Sequence, residues 1–299
     1  MDAQTSNRVR LSFLRACELD ITVRKPGNVS TISPGHGMQA NQFIASAAAA
    51  AGPLCQARAR VGPRIEAAMR ASWDAAQCNT NLGIVLLCAP LAAACEDAPP
   101  NDSAAALQRR LEGVLQGLDV DDARAAYRAI ALARPGGLGR VAEQDVDEAP
   151  TVDLRAAMAL AADRDRIAWQ YVHAHADLFQ RGLPAFEETL HHARRALDAP
   201  TAASQAMLRV YLEFLAALPD SHIVRKHGAA VAQCVMAEAM PWLLRAARGE
   251  TVDDDPAFAH WDLSLKARGI NPGTSADLAV ACTFLAGVIG HNANGAPAR

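Results

Sequence analysis

Five short segments hold more polar chemistry than a turn needs: RKPGNVS at 24–30, CNTNLG at 78–83, PGGLG at 135–139, PDSHIVRKHG at 219–228 and GINPGTSADL at 269–278. Glycine lets backbone N–H groups approach a ligand closely, and a helix start offers orphan donors with a partial positive charge. Lys25, Arg225 and Lys226 add full charges to these segments. Such a set suits a polyphosphate. Asp145, Asp163, Asp165, Asp220 and Asp277 would repel one unless a divalent cation stood between. Magnesium uses one or two carboxylates together with phosphate oxygens, so the mixture points to a metal–nucleotide complex.

Each segment also has a plainer reading. Thr274 and Asp277 have capping-box spacing, and a carboxylate in a first helical turn favours the dipole. KPG alone is a turn, and RKHG alone is a charged helix flank. Asp163 and Asp165 lie two apart on a predicted helix and do not share a face, so at most one points into a site. His173 and His175 have the same poor geometry for a metal, and His191 and His192 are adjacent. The chain has no H-E-x-x-H, no phosphate-loop lysine motif and no G-x-G-x-x-G after a strand.

The elements that must position these residues are helices. Half of the 299 residues are apolar, alanine dominates them, and aromatic and β-branched residues are sparse. That mixture favours helix over strand. Apolar periodicity predicts helices through LRACELDI, AYRAIALA, the long stretch 156–179, TAASQAMLRVYLEFLAAL, AAVAQCVMAEAMPWLLRAA and SADLAVACTFLAGVIG. In the long stretch Met158, Ala161, Ala162, Ile167, Tyr171, Leu178 and Phe179 are the inward positions. Pro241 is expected to kink or end its helix. Loops are expected at 97–103, at 135–150 and at 248–258, the last with a solvated acidic run.

No repeat or change in composition marks a domain boundary, so the expectation is one all-α domain over 1–299 with its core at about 14–290. A net charge of −3 argues against holding a nucleic-acid backbone. The most apolar run, 82–95, is too short for a membrane span, and the first twenty residues have no signal-peptide pattern. The seven cysteines contain no C-x-x-C pair and read as buried free thiols of a cytoplasmic protein. Pairing through an apolar face would make a homodimer.

Taken together and in order, KPGNV, NTNLG, PGGLG with Asp145 and Val146, RDRIAWQY, PDSHIVRKHG and NPGTSADL resemble the triphosphoribosyl-dephospho-CoA synthase family over about 14–290. The resemblance implies an all-helical enzyme, with magnesium expected. It would transfer the triphosphoribosyl group of ATP to the ribose 2′-hydroxyl of 3′-dephospho-CoA and release adenine. Under it, Lys25, Arg225, Lys226 and the N–H groups of Gly273, Thr274 and Ser275 are expected to meet the triphosphate. Asp220 and Asp277 are expected to act as base or metal ligands, with Asp163 as a further metal candidate. Asn28, Asn79, Asn81 and Asn271 would orient ribose or adenine, with Gly27 and Thr80 in the same binding segments. His222 or His227 would protonate the leaving base.

Two motifs depart from the best-known synthases, which read KPGLV and NTHKG where this chain has Asn28 and, in the second motif, Asn81 and Leu82. In this the chain is similar to a branch from organisms that make methanopterin-type carriers, and another acceptor in one-carbon cofactor synthesis is the alternative. A nucleotide-binding helical scaffold without turnover is the third reading.

Overall fold

The computed structural model describes residues 3–96, 98, 99, 102–137, 139 and 143–290. Leu138 of the PGGLG segment, Asp97, Pro100 and Asn101 of the 97–103 loop, and the ends of the expected 1–299 span lie outside the described residues. The described part is all-α, as the composition predicts. Its helices are α1 (Ala3–Thr22), α2 (Ala40–Leu54), α3 (Val61–Ala76), α4 (Leu82–Ala94), α5 (Ala104–Gln116), α6 (Val120–Ala133) and α7 (Leu154–Ala159). They continue with α8 (Arg166–Val172), α9 (Leu183–Ala193), α10 (Ala199–Ala217), α11 (Ser221–His227), α12 (Ala229–Ala247), α13 (Pro256–Ala267) and α14 (Gly273–Val288). No strand occurs among the described residues.

Aspartate starts many of these helices. Asp119, Asp153, Asp165, Asp198, Asp220 and Asp255 each accept backbone N–H groups of the first turn of α6, α7, α8, α10, α11 and α13. Such caps satisfy orphan donors and each is worth about 1 kcal/mol. Asp122 goes further. It reaches back to the Asp119 N–H (3.1 Å) and also takes the Gly62 N–H (2.8 Å), which joins the start of α6 to the start of α3.

Two helices form the centre. α4 carries no charged residue and is buried on almost every side. α14 is buried nearly throughout and packs on α1, α4, α9 and α10. A helix apolar all round belongs inside a core, so the one-sided stripe read for α14 understates its burial. The buried apolar side chains form one contiguous cluster from Val9 to Val288. Among the described residues no helix is long and apolar enough to cross a membrane. The seven cysteines are free thiols; Cys234 is exposed and Cys78 half-buried.

Two helix expectations are corrected. The stretch 156–179 is not one helix: α7 ends at Ala159, α8 covers Arg166–Val172, and a π-helical turn covers Leu178–Gly182. Asp165 holds the Ile167 and Ala168 N–H groups (2.9 and 3.2 Å) from an extended backbone, and these local bonds compete with helix continuation. Ala174 and His175 then adopt left-handed backbone, and Arg166 bridges to Asp177 (2.6 and 2.8 Å). Of the inward positions, Met158, Ile167, Tyr171, Leu178 and Phe179 are buried, whereas Ala161 and Ala162 are only half-buried. Nor does α12 end at Pro241, which lies on its exposed side, where water can take the carbonyl that loses its N–H partner. The acidic run near 253 is not simply solvated: Asp253 is half-buried, 3.5 Å from Arg24, and Asp255 caps α13.

His173 stacks on Trp169 with ring centroids 3.8 Å apart, while His175 is fully buried beside Tyr171. Burial pushes the His175 ring down to about 3, against an ordinary value of 6.5. Between these values the unfolded chain binds the proton and the folded chain does not, so stability is full above pH ~6.5 and falls as pH drops toward 3. His175→Asn keeps a residue that tolerates left-handed backbone and removes the titration. Urea midpoints measured from pH 7 to pH 4 should decline less steeply in that variant; an unchanged slope would place the acid sensitivity elsewhere.

Candidate active site

The starts of α4, α8, α11 and α14 and the ends of α1, α6 and α7 meet around a cavity of about 640 Å³. Two motifs whose asparagines are 243 positions apart build one wall. The Asn28 side-chain amide donates to Asn271 Oδ1 (2.9 Å), the Gly27 N–H donates to Asp262 (2.8 Å), and the Gly27 carbonyl meets His36 Nε2 (2.7 Å). Gly27 has φ +82°, and a Cβ there would fall 2.7 Å from Pro272 Cδ. Only glycine lets the KPG and NPG turns lie this close.

Four other glycines of the motifs seat side chains. A Cβ at Gly83 would fall 2.5 Å from the Asp277 carboxyl carbon. One at Gly273 would fall 2.8 Å from His222 Nδ1, one at Gly136 would fall 2.9 Å from Lys226 Cε, and one at Gly137 would fall 3.2 Å from Arg225 Cβ. The glycines expected to bring backbone to a ligand therefore make room for the very side chains that line the cavity.

Asp277 is the only charged residue of α14, and its side chain is on the cavity wall. No donor among the described residues hydrogen-bonds to it. Burial and then the nearby charge of Asp20 push its carboxyl well above the ordinary range; Asp220 and Asp165 add to this and Arg225 opposes it. The capping box read for Thr274 and Asp277 does not form, because Pro272 stands at the N-cap and no side chain caps α14.

Several expected ligands are engaged inside the protein. Asp220 is buried off the wall. It accepts the His222 and Ile223 N–H groups (2.9 and 3.1 Å) with one oxygen, and the Ser275 N–H and hydroxyl (2.7 and 2.8 Å) with the other. It clamps α11 to α14, which leaves neither Asp220 free for a metal nor the Ser275 N–H free for phosphate. Thr274 is buried and accepts from the His222 N–H (3.2 Å), and the Gly273 N–H donates to the Asn271 carbonyl (2.8 Å). Two of the three N–H groups read as a phosphate cradle at 273–275, those of Gly273 and Ser275, are thus taken inside the protein, although Gly273 itself is on the wall. Lys25 is completely buried behind the wall, 2.9 Å from Asp20. His227 meets the Gly269 carbonyl (3.1 Å) and is off the wall, as is Gly27. Asp163 is exposed and off the wall; its neighbour Asp165 lines it and pairs with Arg225.

Asn28, Asn79, Thr80, Asn81, Asn271, His222, Arg225 and Lys226 do line the cavity. Asn79 Oδ1 accepts the Leu82 N–H (3.1 Å), and Thr80 donates to Ser46 (2.7 Å). Asn81 donates to Ser72 (3.1 Å), and its own Oδ1 has no protein partner. Burial, then Lys226 and Arg225, push the His222 ring down to about 3, so it is neutral at pH 7 and holds no proton to give as an imidazolium.

Sequence reading missed Asp20, His36, Tyr127, Arg134 and Arg164, all on the wall. Asp20 had a local signal, five residues before the KPG lysine, and Arg164 opens the RDRIAWQY segment; His36, Tyr127 and Arg134 lie in segments with no motif character. Arg134, Arg164 and Lys226 are exposed, and with half-buried Arg225 they give the cavity four cations. Ile84, Leu86, Tyr127, Ile130, Met158 and Ile167, from the mutually packed α4, α6, α7 and α8, make its apolar part. Among the described residues no three of His, Cys, Asp and Glu are placed to hold a metal.

Gly83→Ala tests the seating of Asp277. In an ordinary helix this change stabilises by up to about 1 kcal/mol. Here the new methyl overlaps the carboxylate, and the variant should lose about 1–3 kcal/mol in urea unfolding. The methyl would also come 2.7 Å from Ile167 Cδ1, a contact that Asp277→Ala leaves in place, so in that background the loss should shrink by the carboxylate's share without vanishing. Equal costs in both backgrounds would mean that the methyl strikes something else.

No curated protein matches the chain in sequence. Among solved structures it is similar to that of a provisionally assigned triphosphoribosyl-dephospho-CoA synthase from Archaeoglobus fulgidus. The TM-score is 0.63 and the identity 21%, over 83% of this chain and 97% of that one. This likeness speaks for the fold. The family model described as CitG, ATP:dephospho-CoA triphosphoribosyl transferase, matches residues 6–295. With nearly its whole length matched, the chain belongs to the CitG family and is a transferase of the triphosphoribosyl-dephospho-CoA synthase kind.

Proposed function

We propose that this enzyme transfers the triphosphoribosyl group of ATP to the ribose 2′-hydroxyl of 3′-dephospho-CoA and releases adenine. The observation that carries the reading is Asp277, an unpartnered carboxylate brought to the cavity wall on an otherwise uncharged central helix. Half-buried, facing the cavity and without donors, it is placed for chemistry on a ligand rather than for holding the fold together.

In the transfer the C1′–N9 bond breaks with its electron pair going to adenine, and a C1′–O bond forms to the acceptor. The hydroxyl proton passes to Asp277, whose raised pKa makes it a stronger base than an ordinary carboxylate. The departing adenine takes up one proton. Arg134, Arg164, Arg225 and Lys226 supply the positive charge that a triphosphate needs. The apolar part of the cavity suits the flat, uncharged base, and about 640 Å³ lies within the usual range of pockets for nucleotide-sized ligands.

Magnesium enters in this reading as the counter-ion of the triphosphate. Of the carboxylates offered for it, Asp220 is engaged, Asp163 is off the wall, and Asp277 is the one left facing the cavity; it would meet such an ion alone among them, and no step is assigned to one. One observation favours the alternative acceptor: Leu82 lines the cavity where the best-known synthases carry a lysine, so the wall lacks a charge that could meet an acceptor phosphate.

The test is mass spectrometry of products from ATP, magnesium and dephospho-CoA. A triphosphoribosyl adduct with adenine supports the assignment; adenine without an adduct moves the acceptor elsewhere; ATP binding without turnover favours the scaffold reading. Asp277→Asn should cut turnover by about 100-fold or more, the scale of general-base catalysis, while the protein stays folded. In the wild type, activity should fall on the acid side at a higher pH than an ordinary carboxylate would cause, because the base form exists only above the raised pKa. Full activity in Asp277→Asn would sink the proposed role.

A further inference from the structure

Asp20 lies near the C-terminus of α1, is 4% exposed, and lines the cavity. Lys25, with an exposure of 0%, lies behind it and touches no part of the wall. Its ammonium is 2.9 Å from Asp20 Oδ1 and also donates to the Asp20 backbone carbonyl. The lysine of the KPG turn therefore meets no ligand; it holds a carboxylate that does face the cavity. The helix carrying Asp20 packs directly on α14, and among charged groups Asp20 acts most strongly on Asp277. Two carboxylates thus come to one cavity from adjacent helices, one ion-paired from behind and one without a partner.

Desolvating a lysine and an aspartate together is expensive, and well-packed apolar residues often stabilise a fold as well or better. The pair needs another explanation than stability. Breaking an N-glycosidic bond builds positive charge at C1′ and the ring oxygen, and enzymes that cleave glycosides meet that charge with a pair of carboxylates.

We propose that Asp20 is a second catalytic carboxylate of the transfer, an anion held against the ribosyl cation of the transition state, and that Lys25 is the residue that positions it. This rests on the reaction proposed above. Asp277 takes the acceptor proton; Asp20 exchanges no proton and forms no bond to carbon. A fixed anion in a site shielded from water is worth more than in solution, because nothing has to reorganise when the charge develops.

The test measures adenine release from ATP with dephospho-CoA for wild type, Asp20→Asn, Lys25→Met and the double variant, with melting temperatures alongside. Asp20→Asn should lower kcat about 100-fold or more and leave the KM for ATP within about threefold. The double variant should be no slower than Asp20→Asn alone, since Lys25 acts only through Asp20. If Lys25→Met fails to fold because it strands a buried carboxylate, the double variant, which has no buried charge left, makes the comparison.

Asp277 is also influenced by Asp220, Asp165 and Arg225, which these variants leave in place. Removing the like charge at 20 should therefore move the acid limb of the pH–rate profile to lower pH, which reports that Asp20 is charged beside Asp277, while the loss of kcat at an unchanged KM is the readout that a purely structural aspartate would not produce. An Asp20→Asn enzyme that keeps kcat within about threefold of wild type, with only its melting temperature lowered, overturns the role of Asp20 and leaves the transferase reading standing. A wild-type enzyme that releases no adenine overturns both.

Discussion

The close contact between Asp277 and Gly83 organises this molecule. A carboxylate enters the core on a helix that has no other charge, and it fits only because the facing helix begins with a residue that has no side chain. The approach brings the N-terminal ends of α4 and α14 together and so fixes where the cavity can open. The clamp of Asp220 on Ser275 and the interlocked KPG and NPG turns hold the start of α14 from its other sides. Among these neighbours the Asp277 carboxylate is half-buried and faces the cavity. Its raised pKa follows from that burial.

The remaining acids divide by a simple physical rule. A helix start has orphan N–H groups, and an aspartate just before it will take them. Asp165 and Asp220 do so, and Asp220 is saturated by four donors. Asp20 sits at the other end of a helix, where there are no N–H groups to take, and it is instead held by a lysine. Carboxylates engaged from within build the cavity; those left facing it are available to a substrate.

Charge and polarity are separated around the cavity. Cations come from the ends of α6 and α11 and the turn before α8, and the apolar surface comes from α4, α6, α7 and α8. A ligand with an ionised tail and an uncharged ring matches that division. His222, squeezed against Gly273, is neutral because burial disfavours its charged form and the nearby Lys226 and Arg225 add to that. Such a ring can exchange hydrogen bonds with a ligand while adding no charge of its own.

Much of this was legible in the residues. An alanine-rich, strand-poor composition determined an all-helical fold, and the polar joints at 24–30, 78–83, 135–139, 219–228 and 269–278 all contribute to the cavity. The local patterns also marked Asp277, since one charge in a long apolar helix stands out. What the tertiary structure alone decided was which atoms face the ligand. Lys25 and Asp220 sit in motifs that read as ligand contacts, yet one is turned inward to Asp20 and the other is closed by Ser275, a residue 55 positions away. Nothing within a few residues of Asp220 encodes its partner; that of Lys25 is five residues away, but spacing does not tell which of the two faces the cavity. The glycines mislead in the same way: an open backbone and a socket for a distant side chain both need glycine, and only the packing of α4 against α14 shows that Gly83 is the socket. Spacing along the chain sets helical period and capping, which are local; the choice between ligand and protein partner depends on contacts between helices far apart in sequence.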